Sequence, residues 1–200
     1  PNDEVIVPSL TYIASVNAIT YTGAKPVFVD SLPDTWQLDP MDVLQKITPK
    51  TRAIMVVHLY GHPCDMDSIM QFAEEHDLFV VEDCAEAFGS TYKGKYVGSI
   101  GHIATFSFFG NKTITAREGG MVVANTPELF SKAAHFRGQG LAAQREYWHD
   151  VIGYNYRMTN ICAAIGLAQL EQADNFIQAK RDIALRYRKG LANLPVELHS

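Results

Sequence analysis

The stretch Phe79-Val80-Val81-Glu82-Asp83-Cys84-Ala85-Glu86-Ala87-Phe88-Gly89 sets the reading of the chain, because a short apolar run stops at two acids and continues in small residues. A run without polar alternation suits a strand covered on both faces, the habit of parallel sheets. Similar runs occur at Val5-Ile6-Val7, Val27-Phe28-Val29, Ala53-Ile54-Met55-Val56-Val57, Thr105-Phe106-Ser107-Phe108 and Met121-Val122-Val123. Between the first of them lie helical patterns at residues 11–21, with Ser9 or Thr11 as the expected cap, at 40–47 after Asp39, and at 67–76 after Asp65. Strand alternating with helix predicts an α/β fold, a mostly parallel sheet sandwiched by helices.

The last third changes character. Residues 126–136 and 159–194 carry a helical period, with Pro127 and Thr159 as first-turn residues, and Val196-Glu197-Leu198 is strand-like. No repeat or Ser/Gly-rich linker interrupts the chain, so the expected organisation is one large domain over 1–158, followed by helices over 159–200 that lead toward a second domain. The opening Pro1-Asn2-Asp3-Glu4, without an initiator Met, reads as the start of a piece of a longer protein.

Two hundred residues at 47% hydrophobic content can bury a sizeable core. A net charge of −5 with no long Lys/Arg run gives no footprint for nucleic acid or an anionic membrane and directs attention to small-molecule chemistry. The three cysteines, Cys64, Cys84 and Cys162, form no C-x-x-C pattern or disulfide framework and suit a reducing, cytoplasmic setting; no secretory or membrane-spanning segment stands out.

In open α/β sheets, ligands collect beyond the carboxyl ends of the strands. Asp83 stands at one such end. A second is Ser107-Phe108-Phe109-Gly110-Asn111-Lys112-Thr113-Ile114-Thr115, followed by Glu118-Gly119-Gly120, where a single lysine sits among hydroxyls and glycines between two apolar runs. Taken singly, the acids read as turn caps and the lysine as a solvated loop residue. Taken together they suit an electron-sink cofactor, which needs a lysine nucleophile and an acid that keeps a pyridine nitrogen protonated. His58, His62, Cys64 and Asp65 crowd together but match no zinc spacing, so they read as a turn around Gly61 and Pro63 with Asp65 as a helix cap. His149, Asp150 and Arg137 receive no role.

The ordered set Glu82 to Gly89, Ser107 to Lys112 and Glu118-Gly119-Gly120 closely resembles the sugar aminotransferases of the DegT/DnrJ/EryC1/StrS family, over essentially the whole chain from Asp3 to Asn160. The resemblance implies the large domain of a fold-type-I transferase dependent on pyridoxal 5'-phosphate. Lys112 would carry the cofactor as a Schiff base and move the proton, and Asp83 would pair with the pyridine nitrogen. Glu86 would lie beside the ring and its phenolic oxygen, Tyr12 would stack on the ring, and Ser107 would bind the phosphate. Asn155 would reach the cofactor phosphate of a neighbouring subunit, which makes a homodimer part of the site.

The implied reaction is amination of a nucleotide-linked 4-keto-6-deoxy sugar with glutamate as donor, the expected sugar being GDP-4-keto-6-deoxymannose and the product an O-antigen precursor. Alternatives are another UDP-, dTDP- or GDP-linked keto sugar, or a non-catalytic relative; Lys112 speaks against the dehydratase branch, which carries histidine there. Relatives typically carry Thr-Gly-Glu-Gly-Gly after the lysine, whereas this chain has Ala116-Arg117-Glu118-Gly119-Gly120, so a positive φ at position 117 would strain the lysine loop. The family's phosphate loop and its small domain are expected outside the 200 residues.

Overall fold

The structure, a computed structural model, describes residues 2–198. Its strands are β1 (Glu4–Pro8), β2 (Lys25–Val29), β3 (Thr51–Val57), β4 (Phe79–Asp83), β5 (Thr91–Tyr92), β6 (Lys95–Tyr96), β7 (Ile103–Ser107) and β8 (Gly120–Ala124). Its helices are α1 (Ile13–Tyr21), α2 (Pro40–Lys46), α3 (Met66–Glu75), α4 (Pro127–Arg137), α5 (Asn160–Leu170) and α6 (Ala173–Leu191).

Six strands form one sheet in the order β2-β1-β3-β4-β7-β8, and β5 pairs with β6 in a small hairpin. All large-sheet pairs are parallel except β7 with β8. Each apolar run of the sequence lies in one of these strands or overlaps it. The chain winds outward from β1 to β2 and then, through β3, in the opposite direction to β4. Right-handed crossovers therefore place α1 and α3 on opposite faces of the sheet, and the loops after β1 and β3 part where the winding direction reverses.

The core lies between β1, β3, β4 and the helices α2 and α3, where Ile6, Val43, Ile54, Val56, Met66, Ile69 and Val80 are buried. Helix α3 presents Met66, Ile69 and Ala73 inward at helical spacing, and α2 begins with Pro40 at its first turn. The expected caps hold at two places: Asp39 accepts from the Met41 N–H, and Asp65 from the Ser68 N–H. The expectation for α1 fails. Its N-cap is Tyr12, with no side-chain cap, because Thr11 and Ser15 face each other at 3.3 Å instead of serving the helix terminus.

The helical period over 159–194 resolves into two helices, α5 and α6, that meet at Glu171 and Gln172, with Thr159 capping α5 through the Cys162 N–H. Residues 196–198 form no strand among the described residues.

Glu82 is the buried hinge of the fold. Its side chain is fully buried and its two oxygens accept from His58 Nε2 at 3.1 Å and from the backbone N–H groups of Gly98, Ile100 and Gly101. His58 Nδ1 accepts the Cys64 N–H, so Nε2 carries the proton given to Glu82. One carboxylate thus ties the end of β3, the middle of the sheet and the 98–101 loop together. Burial alone would raise the Glu82 pKa; the bonds from His58, Gly98 and Gly101 outweigh it and hold the group below its ordinary 4.5. A depressed folded-state pKa means that this stabilisation is present above the unfolded value and is lost as pH falls through the folded one. Glu82→Gln is expected to destabilise the fold by about 3 kcal/mol in urea unfolding at pH 7. It is also expected to flatten the acid limb of the stability curve below the ordinary glutamate pKa; an unchanged acid limb would contradict the assignment.

Candidate active site

Successive residues on a strand point to opposite faces, so Glu82 and Asp83 separate their roles by geometry alone. Asp83 ends β4, flanked by Val57 of β3 on one side and Thr105 of β7 on the other. Its Oδ2 accepts from Ser15 Oγ at 2.7 Å and its Oδ1 from the Ala85 N–H at 3.0 Å. The acids therefore cap no helix; Asp83 makes an Asx-type bond to the residue two beyond and takes a second donor from α1. Ser15, 5% exposed, was not singled out in the sequence. The one signal for it is a hydroxyl within the apolar segment Ile13-Ala14-Ser15-Val16.

Tyr12 stands at the start of α1 and is 76% exposed, one turn before the residue that holds Asp83. Glu86 is exposed, and its Oε2 accepts from the Tyr60 N–H at 2.8 Å. That bond fixes the turn after β3, where Tyr60 adopts φ 53°. Gln37 braces the same turn, giving its amide N–H to the Leu59 carbonyl and accepting the Leu59 N–H.

Ser107 ends β7, next to β4 in the sheet, and its Oγ accepts from the Phe109 N–H at 3.4 Å. Lys112 follows on the β7–β8 loop and is half-buried; its side chain makes no hydrogen bond or ion pair among the described residues. The loop around it is tightly held. Phe108 N–H donates to Gly119 O, Ala116 N–H to Phe108 O and Lys112 N–H to Phe109 O. Below them Phe108, Ile114 and Ala116 are buried against Ala173, Met158, Cys162 and Phe176. Lys180 of α6 donates to Thr113 Oγ1 at 3.1 Å, so α6 touches the residue after the lysine.

The glycine pattern after the lysine has a steric cause. A Cβ on Gly120 would stand 2.4 Å from the Phe106 carbonyl across the β7–β8 pair, and Gly119 adopts φ +90°. Arg117 adopts φ 71°, a conformation that suits glycine. The strain expected from an Arg at that position is thus real.

Asn155 lies apart from this cluster in the chain. It forms an isolated antiparallel bridge with Gly138 and is exposed, between Tyr154 and Tyr156, whose rings stack at 5.0 Å. The bridge gives a backbone reason for the turn-like residue and leaves its amide at the surface.

The cluster His58, Glu82 and Cys84 has metal-like proximity, but every oxygen of Glu82 and both nitrogens of His58 already have hydrogen-bond partners. Burial pushes the Cys84 thiol up, and that of Cys64 up to about 12, so neither is a thiolate at neutral pH. This cluster is structural. Asp83 and Ser107 end the neighbouring strands β4 and β7, Lys112 follows on the next loop and Tyr12 stands one turn before Ser15. These residue types are chemically compatible with a phosphorylated pyridine aldehyde, which calls for a carboxylate, an amine, a hydroxyl and an aromatic face.

Comparison with known proteins agrees. The sequence profile of the DegT/DnrJ/EryC1/StrS aminotransferase family matches residues 1–200. The chain is 70% identical over 197 residues to GDP-perosamine synthase of Escherichia coli O157:H7, covering 98% of this chain and 54% of that protein. It is 54% identical to GDP-perosamine synthase of Vibrio cholerae, again with 98% and 54% covered. Among solved structures, S. venezuelae DesV superposes with a TM-score of 0.92 at 43% identity, covering 98% of this chain and 52% of DesV. The PLP-form of the putative sugar aminotransferase Spr1654 from Streptococcus pneumoniae superposes at 0.90 and 36% identity, with 96% and 55% covered. The chain spans about half the length of the curated relatives it matches.

A left-handed conformation costs a residue bearing Cβ about 1–2 kcal/mol. Arg117→Gly is therefore expected to raise stability by about 1 kcal/mol in chemical denaturation, part of the relief being offset by the greater freedom of glycine in the unfolded chain. A loss of stability would show that the Arg117 side chain contributes more than its backbone strain removes.

Proposed function

Because the chain belongs to the DegT/DnrJ/EryC1/StrS aminotransferase family, we propose that it supplies the pyridoxal-phosphate-binding part of an enzyme that transfers an amino group from glutamate to a nucleotide-linked 4-keto-6-deoxy sugar. The likeness to two GDP-perosamine synthases favours GDP-4-keto-6-deoxymannose as acceptor and GDP-perosamine, an O-antigen precursor, as product. The observation that carries the reading is Asp83, a mid-sheet carboxylate with both oxygens held by donors, in the same chain as a lysine that has no counter-ion among the described residues, on the loop after the neighbouring strand.

Pyridoxal phosphate, when bound, supplies an electron sink for the negative charge that develops at carbon during amino transfer. The residues of this chain would do the rest. Asp83 would accept the N–H of the ring nitrogen, and its negative charge favours the protonated ring. Lys112 would hold the cofactor covalently through Nζ, and the same amine would serve as the base and acid that moves a proton during amino transfer. Tyr12 would cover one face of the ring, and Ser107 would donate to a phosphate oxygen. Glu86, already steered by the Tyr60 N–H, would stand by the phenolic oxygen with its other oxygen available.

We also assign residues 1–158 to the cofactor-binding domain and 159–200 to a segment, containing α5 and α6, that leads toward a second domain. A homodimer with shared sites follows the same reading, with Asn155 reaching the partner's cofactor phosphate. The exposed apolar surface supports it: α5 has no buried residue, and Ile152 is 87% and Ile161 71% exposed. No helix among the described residues is long and apolar enough to cross a membrane.

The test is glutamate-dependent amination of GDP-4-keto-6-deoxymannose by the full chain. Lys112→Ala is expected to lower turnover about a thousandfold or more, the scale of a lost proton-transfer group. Turnover by the wild type on a different nucleotide's keto sugar alone would move the substrate assignment, and undiminished turnover by the variant would end it.

A further inference from the structure

Asp83 has two of its acceptor positions filled, and the donor on Oδ2 comes from a residue with no other reason to be polar. Ser15 lies on α1, is 5% exposed and sits 68 residues from Asp83 in the chain, yet its hydroxyl is 2.7 Å from the carboxylate. An ionised carboxylate only accepts, so Ser15 must donate its single proton to Asp83. Thr11 Oγ1, 3.3 Å from Ser15 Oγ, must then donate to Ser15. The direction of the chain Thr11 to Ser15 to Asp83 is fixed by this count of protons, and each bond polarises the next.

We propose that Ser15 is a positioning residue for cofactor recognition: its hydroxyl, backed by Thr11, holds the Asp83 carboxylate in the one orientation that presents its remaining lone pairs to the ring nitrogen. The proposal rests on the reading of Asp83 given above. The Ala85 N–H at 3.0 Å restrains one oxygen and Ser15 the other, so together they restrain both torsions of the side chain. A carboxylate offers about four acceptor positions, and two stay available for a charged donor. Without Ser15 the carboxylate keeps a single restraint and can turn away. Tyr12, between the two hydroxyl residues in sequence, is carried by the same turn, so the relay also ties the exposed ring to the acid.

A merely structural serine would weaken every ligand of the site alike. A serine that acts through Asp83 on the ring nitrogen would weaken only ligands that have one. The experiment measures dissociation constants of the full chain for pyridoxal phosphate and for its deaza analogue, in which carbon replaces the ring nitrogen. Ser15→Ala is expected to raise the constant for pyridoxal phosphate about tenfold, as for the loss of a hydrogen bond to a charged group. The constant for the deaza analogue is expected to stay within about twofold, since that ligand makes no bond to Asp83, and Ser15→Thr, which keeps the hydroxyl, is expected to restore tight binding. Equal weakening of both ligands, or no weakening of either while Asp83→Ala still loses pyridoxal phosphate, would overturn the role of Ser15. Undiminished binding of pyridoxal phosphate by Asp83→Ala would instead overturn the reading of Asp83 itself, and the proposal with it.

Discussion

The buried carboxylate of Glu82 is the constraint on which the site depends. A charge removed from water is tolerated only when its lone pairs are filled, and here a histidine and three backbone N–H groups fill them. That single anchor fixes where β3 ends, how the 98–101 loop returns and how far β4 runs before its last residue emerges. Asp83 follows at the next position and, by the alternation of the strand, faces the other way. One acid is spent on the scaffold so that its neighbour can be left for chemistry.

The lysine loop likewise rests on rigid support. Phe108, Ile114 and Ala116 are buried under it, α6 touches it through Lys180, and the β7–β8 pair closes too tightly for any side chain at Gly120. The strained backbone at Arg117 and Tyr60 sits at the margins of this region, at the loop that carries Lys112 and at the turn that meets Glu86. Strain of this kind persists only where the surroundings over-determine it, and here they do so through backbone bonds on both sides.

Much of this was legible in the sequence. The strands could be read because parallel strands buried on both faces leave uninterrupted apolar runs, and the caps Asp39 and Asp65 because their bonds are local. The α1 cap was misread because Thr11 and Ser15 are committed to each other and to Asp83, a partner 68 residues from Ser15 that no local pattern reveals. Glu82 received no role in the sequence for the same reason: its partners His58, Gly98, Ile100 and Gly101 lie 16 to 24 residues away. The helical period over 159–194 was legible, but the place where α5 gives way to α6 was not, because Glu171 and Gln172 are compatible with a helix; Ala173, at the start of α6, is buried with Ile114 and Ala116 of the lysine loop. Asn155 is proposed through the family likeness alone, since its proposed partner lies outside this chain.

The central claim is that Lys112, and no other lysine, is where the cofactor attaches. The direct measurement is peptide mass mapping of the full chain after loading with pyridoxal phosphate and reduction with borohydride. The account predicts one stoichiometric phosphopyridoxyl label on the peptide containing Lys112, with Lys180 and the other lysines unlabelled at that stoichiometry. A label spread over surface lysines, or placed on Lys180, would contradict it.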